Sequence, residues 1–252
     1  MALTSAMPLF PIVHEDDDLL VINKPADLVC HPTKGDALSS LISRVRTYLG
    51  DGSRPQLVNR LDRETSGLVI VAKTPDAALE IRRLWEAGAV VKHYLAIVHG
   101  AVAEFEGRIE QPVGPDEGSC VAIKSRVRAD GALAVTQFRR QSVFQRGADQ
   151  FSLLDVQPLT GRKHQIRIHL SHYGHPIVGD KLYGLDERCY LDFVQGSLTE
   201  AQRAVLILPN QALHARQLEF VWRGTEVIFR AVPESWFLEF AAGAWTERWN
   251  KP

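Results

Sequence analysis

The alternation of apolar and polar positions predicts that strands outnumber helices in this chain. Apolar runs of strand length occur throughout it, and glycine, proline or aspartate turns bound most of them. The predicted strands lie in the segments DDDLLVIN (16–23), LVC (28–30), LVNRLD (57–62), SGLVIVAKT (66–74), VVKHYLAIVHG (90–100), GRIEQPV (107–113), LAVTQFRRQSVF (133–144), QFSLLDVQPL (150–159), LHARQLEFVW (213–222) and EVIFRAVP (226–233).

Helical spacing of apolar residues appears in fewer places. It predicts one helix from Asp36 to Leu49 and a second from Thr74-Pro75 to about Ala87, with the proline at the first helical position. Thr160-Gly161 looks like the N-cap of a third helix over residues 162–174, and a tryptophan-bearing helix closes the chain. Because the strands mostly follow one another without helical crossovers, we expect an α+β fold around a largely antiparallel sheet.

Composition places the chain among ordinary globular proteins. Its 252 residues suffice for one large domain or two small ones. No secretory signal is visible at the N-terminus, and no apolar stretch approaches the about 18 residues of a membrane span. The three cysteines, Cys30, Cys120 and Cys189, are far apart and suggest neither a disulfide framework nor a CxxC metal site. A cytoplasmic protein with no membrane association is therefore expected.

Charge is balanced overall but not locally. The net charge is −1, yet residues 121–170 hold nine Lys or Arg against three Asp. Such an excess is typical of a face that contacts phosphates, and equally of ordinary charged strand edges. The count alone leaves both interpretations open.

The segment NRLDRETSGL, residues 59–68, places a carboxylate between two guanidiniums. If residues 57–62 form a strand, Arg60 shares the face of Asp62 and Arg63 points to the other face. Nearby cations favour an ionised aspartate, which suits a nucleophile or a charge stabiliser. A solvated ion pair at a strand end is the structural alternative.

Four histidines fall between residues 160 and 180, in TGRKHQIRIHLSHYGHPIVGD. On a helix, His169 and His172 share a face but His164 points away, and Lys163 and Arg167 lie within the same turns, where a dication is disfavoured. We therefore expect no metal site. The cations near the helix start instead suggest an anion-binding surface.

Several short motifs together resemble one known family, the RluA-like pseudouridine synthases. They are N-K-P (23–25), R-L-D-x-x-T-S-G-L-x-x-x-A-K (60–73), K-x-Y-x-A (92–96), G-R-x-H-Q-I-R-x-H-L (161–170), G-H-P-I-x-G-D (174–180) and L-H-A (213–215). The resemblance spans roughly residues 12–232, with the motifs in the family's order. By its spacing alone, Tyr94 would be interpreted only as a packed strand aromatic. The sequence contains no nucleotide-cofactor motif.

The resemblance implies a cofactor-free isomerase that converts uridine in RNA to pseudouridine on the pseudouridine synthase fold. Asp62 is then the nucleophile, which attacks the sugar or abstracts a C2′ proton. Tyr94 stacks on the uracil, Arg167 pairs with Asp62, and Arg60 enters the RNA stack where the base leaves. Further RNA contacts are expected from Arg63 and, in the 160–165 segment, from Arg162, Lys163, His164 and Gln165.

The expected partner is RNA, ribosomal or transfer, with the protein a monomer that needs no protein partner. We expect an N-terminal extension at 1–11, a catalytic domain at 12–232 and a C-terminal helix at 233–252 packed on that domain. Too few residues precede the first strand for an N-terminal S4 module. Residues 184–211 match the family least and are a candidate insertion.

Two positions depart from the family's pattern. Asn59 stands where histidine is usual, and we expect it to play a hydrogen-bonding structural role. Asp27 stands where glycine is usual, and we expect the turn to persist because aspartate tolerates a left-handed backbone.

Two other classes of function remain to be compared with the synthase: a non-catalytic RNA-binding protein on the same fold, and a metal-dependent hydrolase built on the histidines.

Overall fold

The computed structural model describes residues 9–32 and 38–241, which form two compact units. Of the described residues, the first unit comprises 9–32, 38–90 and 217–232, and the second comprises 91–216 and 233–241. Within the described residues, no helix has both the length and the apolarity needed to cross a bilayer.

The elements of the described residues, in chain order, are β1 (Ile12–Glu15), β2 (Leu19–Lys24), α1 (Leu41–Leu49), β3 (Gln56–Leu57), β4 (Ser66–Ala72), α2 (Pro75–Glu86), β5 (Val91–His99), β6 (Glu106–Glu110), β7 (Val113–Pro115), β8 (Ser125–Val127), β9 (Val135–Arg146), β10 (Asp149–Pro158), α3 (Gln165–His172), α4 (Arg188–Gln195), α5 (Glu200–Leu206), β11 (Leu213–Trp222), β12 (Thr225–Arg230) and α6 (Ser235–Phe240). The sheet is mostly antiparallel, which confirms the α+β class.

The first unit is built around β4, whose seven residues are all buried. β4 pairs with β2 and β3, and β2 pairs with β1. Since successive side chains point to opposite faces, Leu68 and Ile70 pack in one core cluster with α2, whereas Val69 and Val71 pack in another with α1. The continuous apolar run of this strand thus reflects burial on both faces.

The two helices of this unit begin at side-chain caps. α2 follows the sequence prediction: the hydroxyl of Thr74 accepts from Ala77 N at 3.3 Å, and Pro75 is the first helical residue. α1 begins later than predicted, at Leu41, because Ser40 caps it by accepting from Ser43 N. Asp36 lies outside the described residues.

In the described part of the second unit, four antiparallel strands lie in the order β5, β10, β9, β6, and β7 and β8 form a separate two-stranded sheet. Ile166 and Leu170 of α3 lie in the main core cluster with residues of β5 and β10, and so does Phe237 of α6. The 184–211 segment contains the helices α4 and α5.

Helix α3 begins three residues later than its cap prediction required. Its N-cap is His164, with φ 55° and no side-chain cap bond, whereas the hydroxyl of Thr160 donates to Gln165 Oε1 and accepts from Val135 N. Gly174, with φ 91°, follows the end of the helix as predicted. Arg162 and Lys163 therefore precede the helix, and only Arg167 lies within it.

Candidate active site

The segment that carries Asp62 is a loop rather than a strand end. β3 stops at Leu57, and residues 58–65 have no strand structure, so the strand parity expected for Arg60 and Arg63 does not apply. The loop closes with a turn in which Thr65 N donates to Asp62 O at 3.2 Å. Asp62 itself is half-buried, and Arg60 is exposed.

Asn59 explains why the strand ends. Its side-chain amide donates to Leu68 O at 3.1 Å, and its Oδ1 accepts from Ile70 N at 2.8 Å. The side chain thereby satisfies two main-chain groups of β4 that a continuing strand would pair with. The predicted hydrogen-bonding role of Asn59 is confirmed.

The main chain is held on both sides of Asp62. On one side, the buried Cys30 sulfur accepts from Leu61 N and donates to Leu61 O, each at 3.5 Å. On the other side, Lys24, which is 0% exposed, donates to Arg63 O at 3.0 Å. The same ammonium binds the carbonyls of Pro25 and Leu28 at 2.8 and 2.9 Å.

A buried ammonium with three carbonyl acceptors is well satisfied, and it fixes the N-K-P loop against the Asp62 loop. Burial raises the pKa of the Cys30 thiol, so it stays protonated and able to donate. The neighbours of Asp62 on either side are therefore anchored to the 24–30 segment, which presents the carboxylate from a fixed loop.

Asp27 lies in this same segment with a left-handed backbone, φ 66°, so the predicted turn persists without the usual glycine. Its carboxylate accepts from Arg63 Nε at 2.6 Å, and both side chains are about half exposed. The guanidinium that follows Asp62 in sequence is thus oriented toward Asp27. Arg63 remains accessible to a ligand despite this pairing.

Tyr94 lies near the middle of β5, opposite Val156 of β10. It is partly buried and packs against the main core cluster of the second unit, as expected for a packed strand aromatic. Its stacking on uracil stays a prediction. Burial lowers the pKa of the neighbouring Lys92.

Arg167 is a buried cation in the first turn of α3. Its Nε and Nη2 donate to the two oxygens of Asp180 at 2.7 and 2.9 Å, and the two side chains are 7% and 0% exposed. Burial by itself raises the pKa of Asp180, but the guanidinium and the amides of Leu182 and Tyr183 hold it below its usual value. The pairing of Arg167 with Asp62 stays a prediction.

The turn before α3 is held by Gln165. This residue is 4% exposed, and its amide bonds to Thr160 Oγ1, Arg162 N, Val135 O and Thr136 Oγ1. Since these contacts use its hydrogen-bonding groups, we expect Gln165 to shape the turn rather than to touch RNA.

The excess of basic residues between 121 and 170 is largely paired within the protein. Lys124 forms a short bond to Glu187, and Arg128 pairs with Asp130 and Glu117. Others bind main-chain carbonyls: Arg140 those of Val102 and Ala103, Arg146 those of Glu239 and Phe240, Arg162 that of Leu133, and Lys163 that of Ile123. Both interpretations of the excess therefore stay open. The ion pairs are those of ordinary charged strand edges, whereas the side chains bonded to carbonyls keep their charge and Arg126 and Arg139 are exposed.

The histidines of residues 160–180 have separate partners. His169 is buried between Thr136 Oγ1 and Gln111 O, and His175 binds His99 O. Among residues 9–32 and 38–241, no three His, Cys, Asp or Glu side chains lie together as a metal ion requires.

Comparison with known proteins shows which family this chain belongs to. The family model described as RNA pseudouridylate synthase matches residues 18–172, which include Asp62, Tyr94 and Arg167. The chain belongs to this family.

The family's curated members include similar proteins from several bacteria. The chain is 35% identical over 215 residues to the uncharacterised RNA pseudouridine synthase YlyB of Bacillus subtilis, covering 83% of this chain and 63% of that protein. It is 38% identical over 219 residues to ribosomal large subunit pseudouridine synthase D of Nitrosomonas europaea, covering 85% of this chain and 58% of that protein. The chain thus spans about three fifths of the length of these relatives.

Two solved structures of human family members share the fold. RNA pseudouridylate synthase domain containing 1 superposes with a TM-score of 0.72 at 26% identity, covering 97% of this chain and 91% of that one. RNA pseudouridylate synthase domain containing 4 gives 0.69 at 27% identity, covering 92% and 91%. These comparisons confirm the predicted family and fold.

Sequence reasoning missed two residues that shape the site, Lys24 and Asp180. Both stand in the motifs on which the resemblance rests, N-K-P and G-H-P-I-x-G-D. The available signal for Lys24 was its position at the end of the strand that the apolar run LLVI predicts, because a cation at the end of a buried strand needs internal acceptors.

Proposed function

We propose that this protein isomerises uridine in RNA to pseudouridine, with Asp62 as the nucleophile. The observation that carries the proposal is the anchoring of the Asp62 loop by Cys30 and Lys24, in a chain that belongs to the synthase family. A surface ion pair needs no such anchoring, whereas a reacting carboxylate must be held in position.

In the reaction, the N1–C1′ bond of uridine breaks and a C5–C1′ bond forms. The C5 proton leaves, N1 takes up a proton, and the product has the same composition as the substrate. Asp62 supplies either the attack on C1′ or the removal of the C2′ proton. No cofactor is required for this exchange.

Tyr94 and Arg167 complete the proposed chemistry. In this proposal the ring of Tyr94 stacks on the uracil, and its hydroxyl accepts the C5 proton. Arg167 keeps Asp62 ionised, since a cation beside a carboxylate favours its charged form. The bidentate pair with Asp180 supports this role by holding the guanidinium in one orientation.

The target base must leave the RNA stack before the aspartate reaches its sugar. This costs about a few kcal/mol, which an inserted side chain offsets in part. The exposed Arg60 is proposed for insertion, and Arg63, Arg162, Lys163 and His164 for contacts to the RNA. The guanidiniums and the ammonium suit phosphate oxygens.

Large-subunit ribosomal RNA is the first substrate to test, because several relatives carry that substrate in their names. Transfer RNA is the alternative. We propose that the protein acts as a monomer in the cytoplasm without a protein partner. None of its three cysteines forms a disulfide, which supports a reducing compartment.

Release of tritium from RNA labelled at uridine C5 tests the proposal. Large-subunit ribosomal RNA and transfer RNA transcripts are incubated separately with the protein, and the modified positions are then mapped. Release from either transcript supports the synthase. RNA binding without release from either would favour the alternative of a non-catalytic RNA-binding protein.

A further inference from the structure

We propose that Tyr183 is a positioning residue for the reaction. Its ring orients Arg167, and its hydroxyl ties the 160–164 turn and strand β8 to the same point. The inference rests on the role of Arg167 in the proposed function. Tyr183 lies three residues beyond the G-H-P-I-x-G-D motif.

The ring of Tyr183 contacts the guanidinium of Arg167 directly. The Arg167 Cζ lies 4.9 Å from the ring centroid, and the two residues are 6% and 5% exposed. Asp180 binds Nε and Nη2 of the same guanidinium and so sets its plane. An aromatic face stabilises a cation that lies over it, more so away from water. The ring and the carboxylate together therefore restrict Arg167 to one rotamer.

The main chain of Tyr183 reinforces this arrangement. Its N–H donates to Asp180 Oδ1 at 2.9 Å, and its carbonyl accepts from Ser171 Oγ of α3 at 2.8 Å. Tyr183 thus bonds to the carboxylate that holds Arg167 and to the helix that carries it. A shift of Tyr183 would move both.

The hydroxyl of Tyr183 makes two further contacts. It accepts from Ser125 N of β8 at 3.2 Å and lies 2.9 Å from His164 Nδ1. A phenol oxygen can accept more than one hydrogen bond, so the tautomer of His164 decides whether the hydroxyl donates to Nδ1 or accepts from it. His164 has φ 55°, a backbone conformation that needs support from its surroundings.

The two parts of the side chain therefore have separable effects. The ring acts on Arg167 and so on the rate of the chemical step. The hydroxyl acts on the turn at 160–164, which carries proposed RNA contacts, and on β8, which carries an exposed arginine. Loss of the hydroxyl should therefore lower the affinity for RNA. If Tyr183 only packed in the core, loss of its ring and loss of its hydroxyl would not affect the rate and the RNA affinity separately.

The test compares Tyr183→Phe, which keeps the ring, with Tyr183→Leu, which removes it. Single-turnover rates at saturating RNA and RNA dissociation constants are measured for both, with Tyr48→Phe as a control that loses an exposed hydroxyl bonded to Glu15. For Tyr183→Phe we expect a rate within about twofold of the unchanged protein and a dissociation constant raised about threefold to tenfold. For Tyr183→Leu we expect the rate to fall by a further factor of about ten.

An Arg167→Lys variant, alone and with Tyr183→Leu, shows whether the ring acts through Arg167. Lysine cannot form the bidentate pair, so the loss from Tyr183→Leu should shrink in this background. If Arg167→Lys leaves the rate unchanged, the proposed role of Arg167 fails. If it lowers the rate but Tyr183→Leu does not, or if the two losses multiply fully, the role of Tyr183 is overturned. Thermal unfolding of each variant identifies a misfolded protein, and Tyr183→Phe then carries the test.

Discussion

The buried ammonium of Lys24 donates to the main-chain carbonyl of Arg63 at 3.0 Å, and Arg63 directly follows Asp62. The contact joins two segments that lie 39 positions apart in the sequence. Because the ammonium also holds Pro25 and Leu28, one side chain fixes the loop that presents Asp62 and the turn beside it. The proposed nucleophile depends on this contact for its position.

Replacing Lys24 should therefore affect both stability and activity. Lys24→Met keeps the volume of the side chain but leaves three carbonyls without their donor. We expect the free energy of unfolding to fall by about 2–4 kcal/mol. The single-turnover rate should fall further than RNA affinity, because the loop position matters most for the reacting carboxylate. Urea unfolding and single-turnover kinetics measure the two effects. Equal losses of rate and affinity would contradict the positioning role.

Asn59 allows a test of the contacts that join the Asp62 loop to β4. Asn59→Ala removes the bonds to Leu68 O and Ile70 N and should lower the free energy of unfolding by about 1–3 kcal/mol. Asn59→His should recover part of this loss, because a neutral imidazole has one donor and one acceptor. Urea denaturation at pH 8 compares the variants. A histidine variant no more stable than the alanine one would show that the imidazole does not replace the amide.

Asp27 combines a strained backbone with a contact to Arg63. Asp27→Gly should be more stable than Asp27→Ala by about 1 kcal/mol, because only glycine adopts φ 66° without cost. Both variants remove the carboxylate beside Arg63, so both should bind RNA about twofold to fivefold more tightly at low salt. Thermal unfolding and filter binding separate the two effects. Unchanged affinity in both variants would remove Arg63 from the proposed RNA contacts.

Stability should fall as the pH drops from about 6.5 to 5. Burial lowers the pKa values of His99 and His169, so the unfolded chain binds protons in this range that the folded protein does not. Their contribution is fully present above the unfolded pKa and is lost as the pH falls, by up to about 1.4 kcal/mol per pH unit for each proton. Urea midpoints between pH 5 and 8 measure the trend, and His169→Asn should reduce it. A midpoint that stays constant or rises toward pH 5 would contradict this reading.

Local signals in the sequence were sufficient for some elements and insufficient for others. Thr74 and Pro75 located the start of α2 because a cap and a proline act within one turn. The strand predicted over 57–62 stops at Leu57 because Asn59 satisfies β4 through its side chain, and apolar spacing does not show that. Thr160 is a residue type that often caps helices, but its hydroxyl bonds to Gln165 and Val135 instead.

The local charge excess was ambiguous for a similar reason. The 121–170 window excluded Asp116, Glu117 and Glu187, which the fold brings to Lys124, Arg126 and Arg128. The hydrogen bond from Lys124 lowers the pKa of Glu187 to about 2, so this carboxylate is ionised over the working range. Long-range pairing of this kind follows from topology and is absent from any local count. The motif residues themselves, in contrast, were located by sequence alone.

Asp62→Asn gives the most direct test of the central claim. The exposed Asp51→Asn serves as the matched control, because it makes the same change in a turn outside the 58–65 loop. Tritium release from C5-labelled RNA and RNA affinity are measured for both variants under single-turnover conditions. We expect that Asp62→Asn abolishes release while RNA still binds, and that Asp51→Asn releases tritium at the unchanged rate. Full release by Asp62→Asn would contradict the assignment of Asp62 as the nucleophile.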